Sequence, residues 1–182
     1  AGAFMISNRA DQLVFEIYYS AIRSKCGVII CTVFMSDDYP AFYNAWAKIM
    51  GETMHRLICS WHVDQNWQRN LSKISDKSKR KHVYKTLKTL MEEVDEETFK
   101  KCLKETVKQL EDDPDTKSFG TYFKKEYENR PEVWAFCYRL RLGINTNNYL
   151  ESLHRVIKYC YLEGKKVKRM DKTTNALLNV SR

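Results

Sequence analysis

The sequence predicts an α/β fold that is interrupted by an all-helical insertion. Residues 1–62 alternate between short strand-like runs and amphipathic helical runs, whereas residues 63–142 show helical periodicity and no strand-like alternation. The 182 residues are 43% hydrophobic and include six Gly and three Pro, a composition typical of folded proteins rather than disordered or collagen-like ones. We therefore expect one compact unit with an insertion.

The first 62 residues contain five elements in alternation. Gly2–Ile6 is a strand candidate, and apolar residues at helical spacing from Leu13 predict a helix that ends at Gly27. Val28–Met35 is β-branched and apolar on both faces, which is typical of a buried strand. Pro40 suits the first turn of a helix that closes at Gly51, and Leu57–Cys59 is a third brief strand. This order is that of an α/β domain.

The rest of the chain divides into a helical insertion, a last helix and a basic tail. Helices in the insertion are predicted at about 62–72, 77–92, 95–111, 116–129 and 131–141. A polar break at Gly143–Asn148 precedes a last long helix over Tyr149–Leu162. The predicted divisions are 1–62, the α/β portion; 63–142, the insertion; 143–164, the final helix; and 165–182, the tail.

Positive charge is concentrated outside the α/β portion. Of 31 basic and 23 acidic residues, residues 1–62 hold five of each, so the net charge of +8 lies in residues 63–182. Residues 155–182 hold eight basic and two acidic side chains, interleaved with Tyr159 and Tyr161. This excess suits the phosphate backbone of a nucleic acid, and a solvated face is the alternative.

Several protein classes are excluded by the sequence. No apolar run approaches the roughly 20 residues of a membrane-spanning helix, and residues 1–8 do not have the pattern of a signal peptide. Six dispersed cysteines favour reduced thiols in the cytosol or nucleus. A first residue of Ala rather than Met leads us to expect a fragment or a trimmed product.

Asp37 directly follows a predicted buried strand. Open α/β sheets place ligand-binding groups at the carboxyl ends of their strands, where a carboxylate can reach a bound cation. The alternative is that Asp37 or Asp38 only caps the helix that begins near Pro40.

Cys59 and His62 lie three residues apart, a spacing that supplies half of a tetrahedral zinc site. Further ligands would have to come from Cys137, His154 or Cys160, none of which forms a second tight pair. We therefore expect a buried structural pair and keep zinc as the alternative. A Cys–His nucleophile is less favoured, since no neighbouring residue is expected to orient the imidazole.

Glu151 lies in the first turn of the last predicted helix. With Asn148 three residues earlier it matches a capping box. The alternative is that Glu151 projects into the same cleft as Asp37 while apolar side chains bury the helix against the sheet. Those side chains are Tyr149, Leu150, Leu153, Val156 and Ile157.

Three sequence blocks, taken in order, resemble the catalytic region of Mutator-like (MULE) transposases, including animal members. The first block is Phe34–Asp38 with Phe42–Trp46, the second is Leu57–Asp64, and the third is Asn145–His154. Met5–Arg9 and the stretch from Lys158 to Asp171 are similar as well. The Cys-x-x-His between an Asp-bearing strand and an Asn-Asn-x-x-Glu-Ser helix is the most specific part of the resemblance.

This resemblance implies an RNase H-like fold with an Asp-Asp-Glu triad and a helical insertion before the last catalytic helix. Asp37 matches the second Asp and Glu151 the Glu, and both would be catalytic residues and metal ligands. The implied cofactor is Mg²⁺ or Mn²⁺, which activates the attacking oxygen in phosphodiester cleavage and strand transfer. The implied partner is DNA, at transposon ends and target, in the nucleus, and homo-oligomerisation stays open.

The chain departs from the family pattern at the first Asp. In the family, that Asp lies on the first strand of the fold, upstream of the segment that resembles residues 1–8 of this chain. Asp11 is at a helix start rather than in a strand, so it does not match. We therefore expect a partial RNase H-like fold without its first strands and a chain that is inactive alone. It is either a fragment of a DNA transposase or a transposon-derived, non-catalytic DNA- or protein-binding module.

Overall fold

A computed structural model describes residues 3–146, 148–164 and 169–180. Within these ranges the chain is mixed α/β and mostly helical, with one two-stranded parallel sheet, so the expected α/β class is confirmed at this coarse level. The elements are α1 Gln12–Cys26, β1 Val33–Ser36, α2 Pro40–Met50, β2 His55–Ile58, α3 Ser60–Asn70, α4 Lys77–Glu92, α5 Glu96–Asp112, α6 Lys117–Phe123, α7 Asn148–Val156 and α8 Met170–Val180.

The sheet is built from β1 and β2, which are joined by the crossover helix α2. The register pairs Val33 with His55 and Ser36 with Ile58, so the carboxyl ends of both strands reach the same edge. Phe34 is buried on the α1–α2 side, and Leu57 and Ile58 are almost fully buried. β1 covers the end of the predicted strand Val28–Met35, and β2 overlaps the predicted strand Leu57–Cys59, so these two strand predictions are confirmed in part.

One strand prediction is wrong over its whole described part, and another is wrong over its first five residues. The described part of the first strand candidate, residues 3–6, has no strand, and residues 28–32 precede β1 without joining it. Ile30 is 94% exposed. A strand requires a hydrogen-bonded neighbour, and in the described ranges β1 and β2 pair only with each other. The carbonyl oxygen of Ala3 instead accepts a hydrogen bond from the Tyr18 hydroxyl at 3.2 Å.

Helices α1 to α5 are confirmed close to their predicted bounds, and the ends of α1, α2, α4 and α5 carry local signals. Asp11, Asp76 and Asp95 each accept a hydrogen bond from a backbone N–H in the first turn of α1, α4 and α5, respectively. Pro40 occupies the first turn of α2. Gly51 ends α2 with a φ of 101°, a conformation that favours glycine.

The helix predicted at 131–141 is wrong. The chain there forms two short 3₁₀ turns, Pro131–Val133 and Phe136–Arg139, after a π-helical turn over Lys124–Glu128 that continues α6. The indole N–H of the fully buried Trp134 donates to the carbonyl oxygen of Tyr127 at 2.9 Å. Tertiary packing of this indole overrides the local helical periodicity.

Two hydrophobic clusters form the interior. One joins α1, β1 and α2 through Phe15, Tyr19, Phe34, Ala45, Trp46 and Met50. The larger one lies in the helical block and is centred on the aromatic side chains Trp67, Phe99, Phe119, Phe123, Tyr127 and Trp134. Ile58, at the end of β2, belongs to the larger cluster and connects the sheet to the block.

The last predicted helix is split and less buried than expected. α7 continues as a π-helical segment over Ile157–Tyr161, and α8 lies in the predicted tail. Ile157 is buried, but Tyr149 is 94% exposed and Leu150 and Val156 are also exposed, so the expected burial of this face is wrong for these three residues. Lys165–Lys168 lie outside the described residues.

No helix in the described ranges is both long and apolar enough to cross a membrane.

Candidate functional site

A cleft of about 570 Å³ opens at the carboxyl end of β1, between the starts of α2, α3 and α7. Its lining includes Asp37 from the end of β1, His62 from α3, and Glu151 and His154 from α7. Asp37 and Glu151, the two carboxylates in the described lining, are separated by 113 residues in the sequence. The fold therefore brings both predicted site residues to one cleft.

Asp37 and Asp38 have different roles in the structure. The N-cap of α2 is Tyr39, which makes no side-chain capping hydrogen bond, so the capping interpretation of either aspartate is wrong. Asp38 instead forms a two-fold hydrogen-bonded ion pair with Arg130, with both N–O distances at 2.8 Å. Asp37 is exposed and lines the cleft.

The Asp38–Arg130 pair connects the sheet to the helical block. Burial lowers the pKa of Arg130, but hydrogen bonding and charge attraction from Asp38 outweigh it, so the pKa is raised overall. Arg130 also lies over the Tyr127 ring, 5.6 Å from its centroid. This pairing commits Asp38 to a structural contact and leaves Asp37 as the aspartate of the cleft.

Cys59, His62 and Glu151 form a second group beside the cleft, which His62 and Glu151 line and Cys59 does not. Their ligand atoms, the thiol sulfur, an imidazole nitrogen and a carboxylate oxygen, all lie within 4.8 Å of one another. Cys59 is fully buried and forms no disulfide, while His62 and Glu151 are partly buried. The Trp61 ring packs edge-on against the His62 imidazole, 4.8 Å between centroids.

A hydrogen-bond network ties Asn145, in the segment before α7, to the start of α3. The carbonyl oxygen of Asn145, just before α7, accepts from the Ser60 N–H at 3.2 Å, the Ser60 hydroxyl at 3.0 Å and Arg139 at 3.2 Å. The Cys59 N–H donates to the carbonyl oxygen of Ser36 at 2.9 Å, which fixes Cys59 to the end of β1. Three segments that are distant in sequence therefore meet at one point.

Arg139 is the centre of this network and was not singled out by the sequence. Its buried guanidinium also donates to the carbonyl oxygens of Ile58 and Val133, at 3.1 and 2.8 Å. Burial lowers the pKa of Arg139 to about 10, because no carboxylate among the described residues offsets the desolvation of its charge. Its position inside a predicted helix gave no sign of this role, which depends on tertiary placement.

The further zinc ligands considered from the sequence do not join Cys59 and His62 in the described part of the chain. In the described part of the chain, the ligand group around Cys59 and His62 is completed by Glu151, and Cys137, His154 and Cys160 are outside it. Glu151 was considered only as a helix cap or a magnesium ligand, because the sequence separates it from His62 by 88 residues.

The capping box proposed for α7 stays a prediction, since the side chain of Asn148 lies outside the described residues. The Oε1 atom of Glu151 is buried and accepts no hydrogen bond from the described residues. Glu151 therefore offers at least one carboxylate oxygen to a ligand in the cleft.

The donors around Glu151 are a poor match for Mg²⁺. This ion prefers oxygen ligands in octahedral geometry, whereas the nearest ligating neighbours of Glu151 are a thiol and an imidazole. Asp37, the other carboxylate of the cleft, is not a member of that group. The described residues thus do not by themselves form a magnesium site.

Basic side chains are exposed on α7 and on the π-helical segment that follows it. Arg155 and Lys158 are exposed, and the Lys158 ammonium lies over the Tyr159 ring, 5.2 Å from its centroid. Tyr159 and Tyr161 are exposed as well. Positive charge and aromatic rings therefore occur together on one terminal segment.

Comparisons of this chain with protein-family models, curated proteins and solved structures find no match. The geometry of the cleft and the resemblance of the sequence blocks carry the functional argument.

Proposed function

We propose that this chain is part of the catalytic domain of a Mutator-like DNA transposase, with a partial RNase H-like fold and a helical insertion. The observation that carries the proposal is the cleft shared by Asp37 and Glu151. Both residues belong to the sequence blocks that resemble the family, and both lie at the ends of elements that frame one cavity. The parent protein would cleave and join DNA in the nucleus.

DNA is the partner that the charge of the chain favours. The net charge of +8 lies in residues 63–182, and Arg155 and Lys158 are exposed just beyond the α7 residues that line the cleft. Basic side chains release counterions from the phosphate backbone, so the affinity for DNA should fall steeply with salt.

A second candidate is a transposon-derived module that binds DNA without chemistry. The observation that favours it is the donor set at Glu151, which is unsuited to Mg²⁺. The genomic sequence upstream of Ala1 separates the candidates. An open reading frame that continues upstream and carries a strand-borne Asp supports the transposase, and a start codon near Met5 supports the module.

DNA binding is measured by fluorescence anisotropy with a labelled duplex over a range of salt concentrations. Replacing both Arg155 and Lys158 by alanine should weaken binding and reduce the slope of log K against log salt by about 2, since each phosphate contact contributes about 0.9. The matched control replaces Lys104 and Lys108, which are exposed on α5. Equal effects of both double variants, or no binding by the unaltered chain, would contradict the proposal.

The chain by itself should not nick duplex DNA in Mg²⁺ or Mn²⁺, because two-ion phosphodiester chemistry needs more carboxylate ligands than the described lining provides. Nicking that disappears in an Asp37→Ala variant would overturn this expectation and assign catalysis to the chain alone.

A further inference from the structure

We propose that Cys59, His62 and Glu151 bind a divalent transition-metal ion of the zinc class beside the cleft. The site would have three protein ligands and a fourth position that opens toward the cleft. This proposal does not depend on transposase activity.

The first support is proximity within a fixed framework. The three ligand atoms lie within 4.8 Å of one another. An ion between them needs each ligand atom at roughly 2.0–2.3 Å from the metal, so the side chains would draw closer to it by rotation. Cys59 lies at the junction of β2 and α3, and the Asn145 carbonyl ties the chain before α7 to Ser60. The ligands are therefore presented by held segments rather than by free loops.

The second support is a pair of buried polar atoms without partners among the described residues. The Nδ1 atom of His62 and the Oε1 atom of Glu151 are both buried, and neither makes a hydrogen bond there. Burying such an atom without a hydrogen bond carries a free-energy cost. A metal ion between the side chains would offset this cost, because either imidazole nitrogen and a carboxylate oxygen can coordinate it.

The third support is the chemistry of the donors. One thiolate, one imidazole and one carboxylate form a mixed set that suits zinc and similar ions, whereas Mg²⁺ and Ca²⁺ prefer oxygen alone. Three protein ligands with an open fourth position are typical of catalytic rather than structural zinc sites. Because His62 and Glu151 line the cleft, the open position faces it.

A thiol nucleophile is a weaker interpretation of the same residues. Glu151 lies near His62 and could orient its imidazole, a role for which the sequence offered no residue. Cys59 is fully buried, however, and a buried sulfur is not accessible to a substrate in the cleft. Metal coordination needs no such access, since the ion is reached through His62 and Glu151.

The test is titration of the metal-free chain with Zn²⁺ against a chromophoric chelator, followed by Co²⁺ substitution. We expect one zinc per chain and a near-ultraviolet band for charge transfer from thiolate to cobalt. Cys59→Ser, His62→Ala and Glu151→Gln should each lower zinc affinity by more than the roughly 10- to 100-fold lost when an outer-shell partner is removed. Circular dichroism establishes that each variant is folded.

Cys102→Ser is the matched control, because Cys102 is an exposed thiol in α5. It should bind zinc like the unaltered chain. Absence of stoichiometric zinc, or equal losses in Cys102→Ser and Cys59→Ser, would overturn the proposal. If Cys59→Ser does not fold, Glu151→Gln decides alone, and unchanged zinc affinity in that variant refutes the site. A loss in Asp37→Asn as large as in Glu151→Gln would place the ion between the two carboxylates instead and also refute it.

These outcomes are separable from the proposed function. DNA binding is measured by its own assay through Arg155 and Lys158, which are not ligands. Zinc binding without DNA binding would support the metal site and contradict the transposase assignment. DNA binding without zinc binding would refute the metal site and leave the transposase assignment supported.

Discussion

Replacing Arg139 by methionine removes the hydrogen bonds that join the sheet, the helical block and the start of α7. The guanidinium donates four hydrogen bonds, to the Ser60 hydroxyl and to the carbonyl oxygens of Asn145, Ile58 and Val133. Methionine has similar length but no donor. The substitution therefore removes one donor from each of four acceptors, although the Asn145 carbonyl oxygen keeps its two hydrogen bonds from Ser60. It keeps most of the apolar contact.

The expected change in the free energy of unfolding follows from two opposing contributions. Hydrogen bonds from a charged donor contribute at least about 1.5 kcal/mol each, so four contribute about 6 kcal/mol. Burial of the charge offsets about half of this, because lowering the pKa of Arg139 from its usual value to about 10 corresponds to about 3 kcal/mol. We expect Arg139→Met to lower the free energy of unfolding by about 3 kcal/mol and the melting temperature by about 6–12 °C.

The assay is urea denaturation followed by tryptophan fluorescence, with Arg69→Met as the matched control on the exposed side of α3. The control should change stability by less than about 0.5 kcal/mol. If Arg139→Met loses less than about 1 kcal/mol, the buried guanidinium does not hold these segments together and the reasoning is refuted.

Two further substitutions probe the packing of each hydrophobic cluster by the same denaturation assay. Gly120→Ala should destabilise the chain by about 1–3 kcal/mol, because the added Cβ would lie 3.0 Å from the Cβ of Leu110, and unchanged stability would show that α5 and α6 separate freely. Tyr19→Phe should leave stability unchanged or raise it by up to about 1 kcal/mol, because the buried hydroxyl has no partner among the described residues; a loss above 1 kcal/mol would reveal a partner.

Local signals predicted the elements that depend on local interactions. The bounds of α4 match the prediction at 77–92, because Asp76 caps the helix and its apolar residues recur at helical spacing. The strand predicted from Val28 failed over residues 28–32, since residue type alone does not supply a pairing neighbour. The helix predicted at 131–141 failed because Trp134 packs into the aromatic core of the block.

The sequence analysis included the interpretation that Asp37 and Glu151 share a cleft, but it did not predict which other side chains lie next to Glu151. Asp37 was correctly placed at the end of a strand and Glu151 in the first turn of a helix. The neighbours of Glu151 were not predicted, because its approach to Cys59 and His62 depends on the contact between Asn145 and Ser60. Such contacts between distant segments leave no periodic pattern in the sequence.

X-ray absorption at the zinc edge of the zinc-loaded chain tests most directly whether Cys59, His62 and Glu151 form one metal site. We predict one sulfur per zinc at about 2.3 Å, with the remaining ligands being nitrogen and oxygen at about 2.0–2.2 Å. The sulfur shell should be absent in zinc-treated Cys59→Ser. A shell of nitrogen and oxygen alone in the unaltered chain, or two or more sulfurs per zinc, would contradict the assignment.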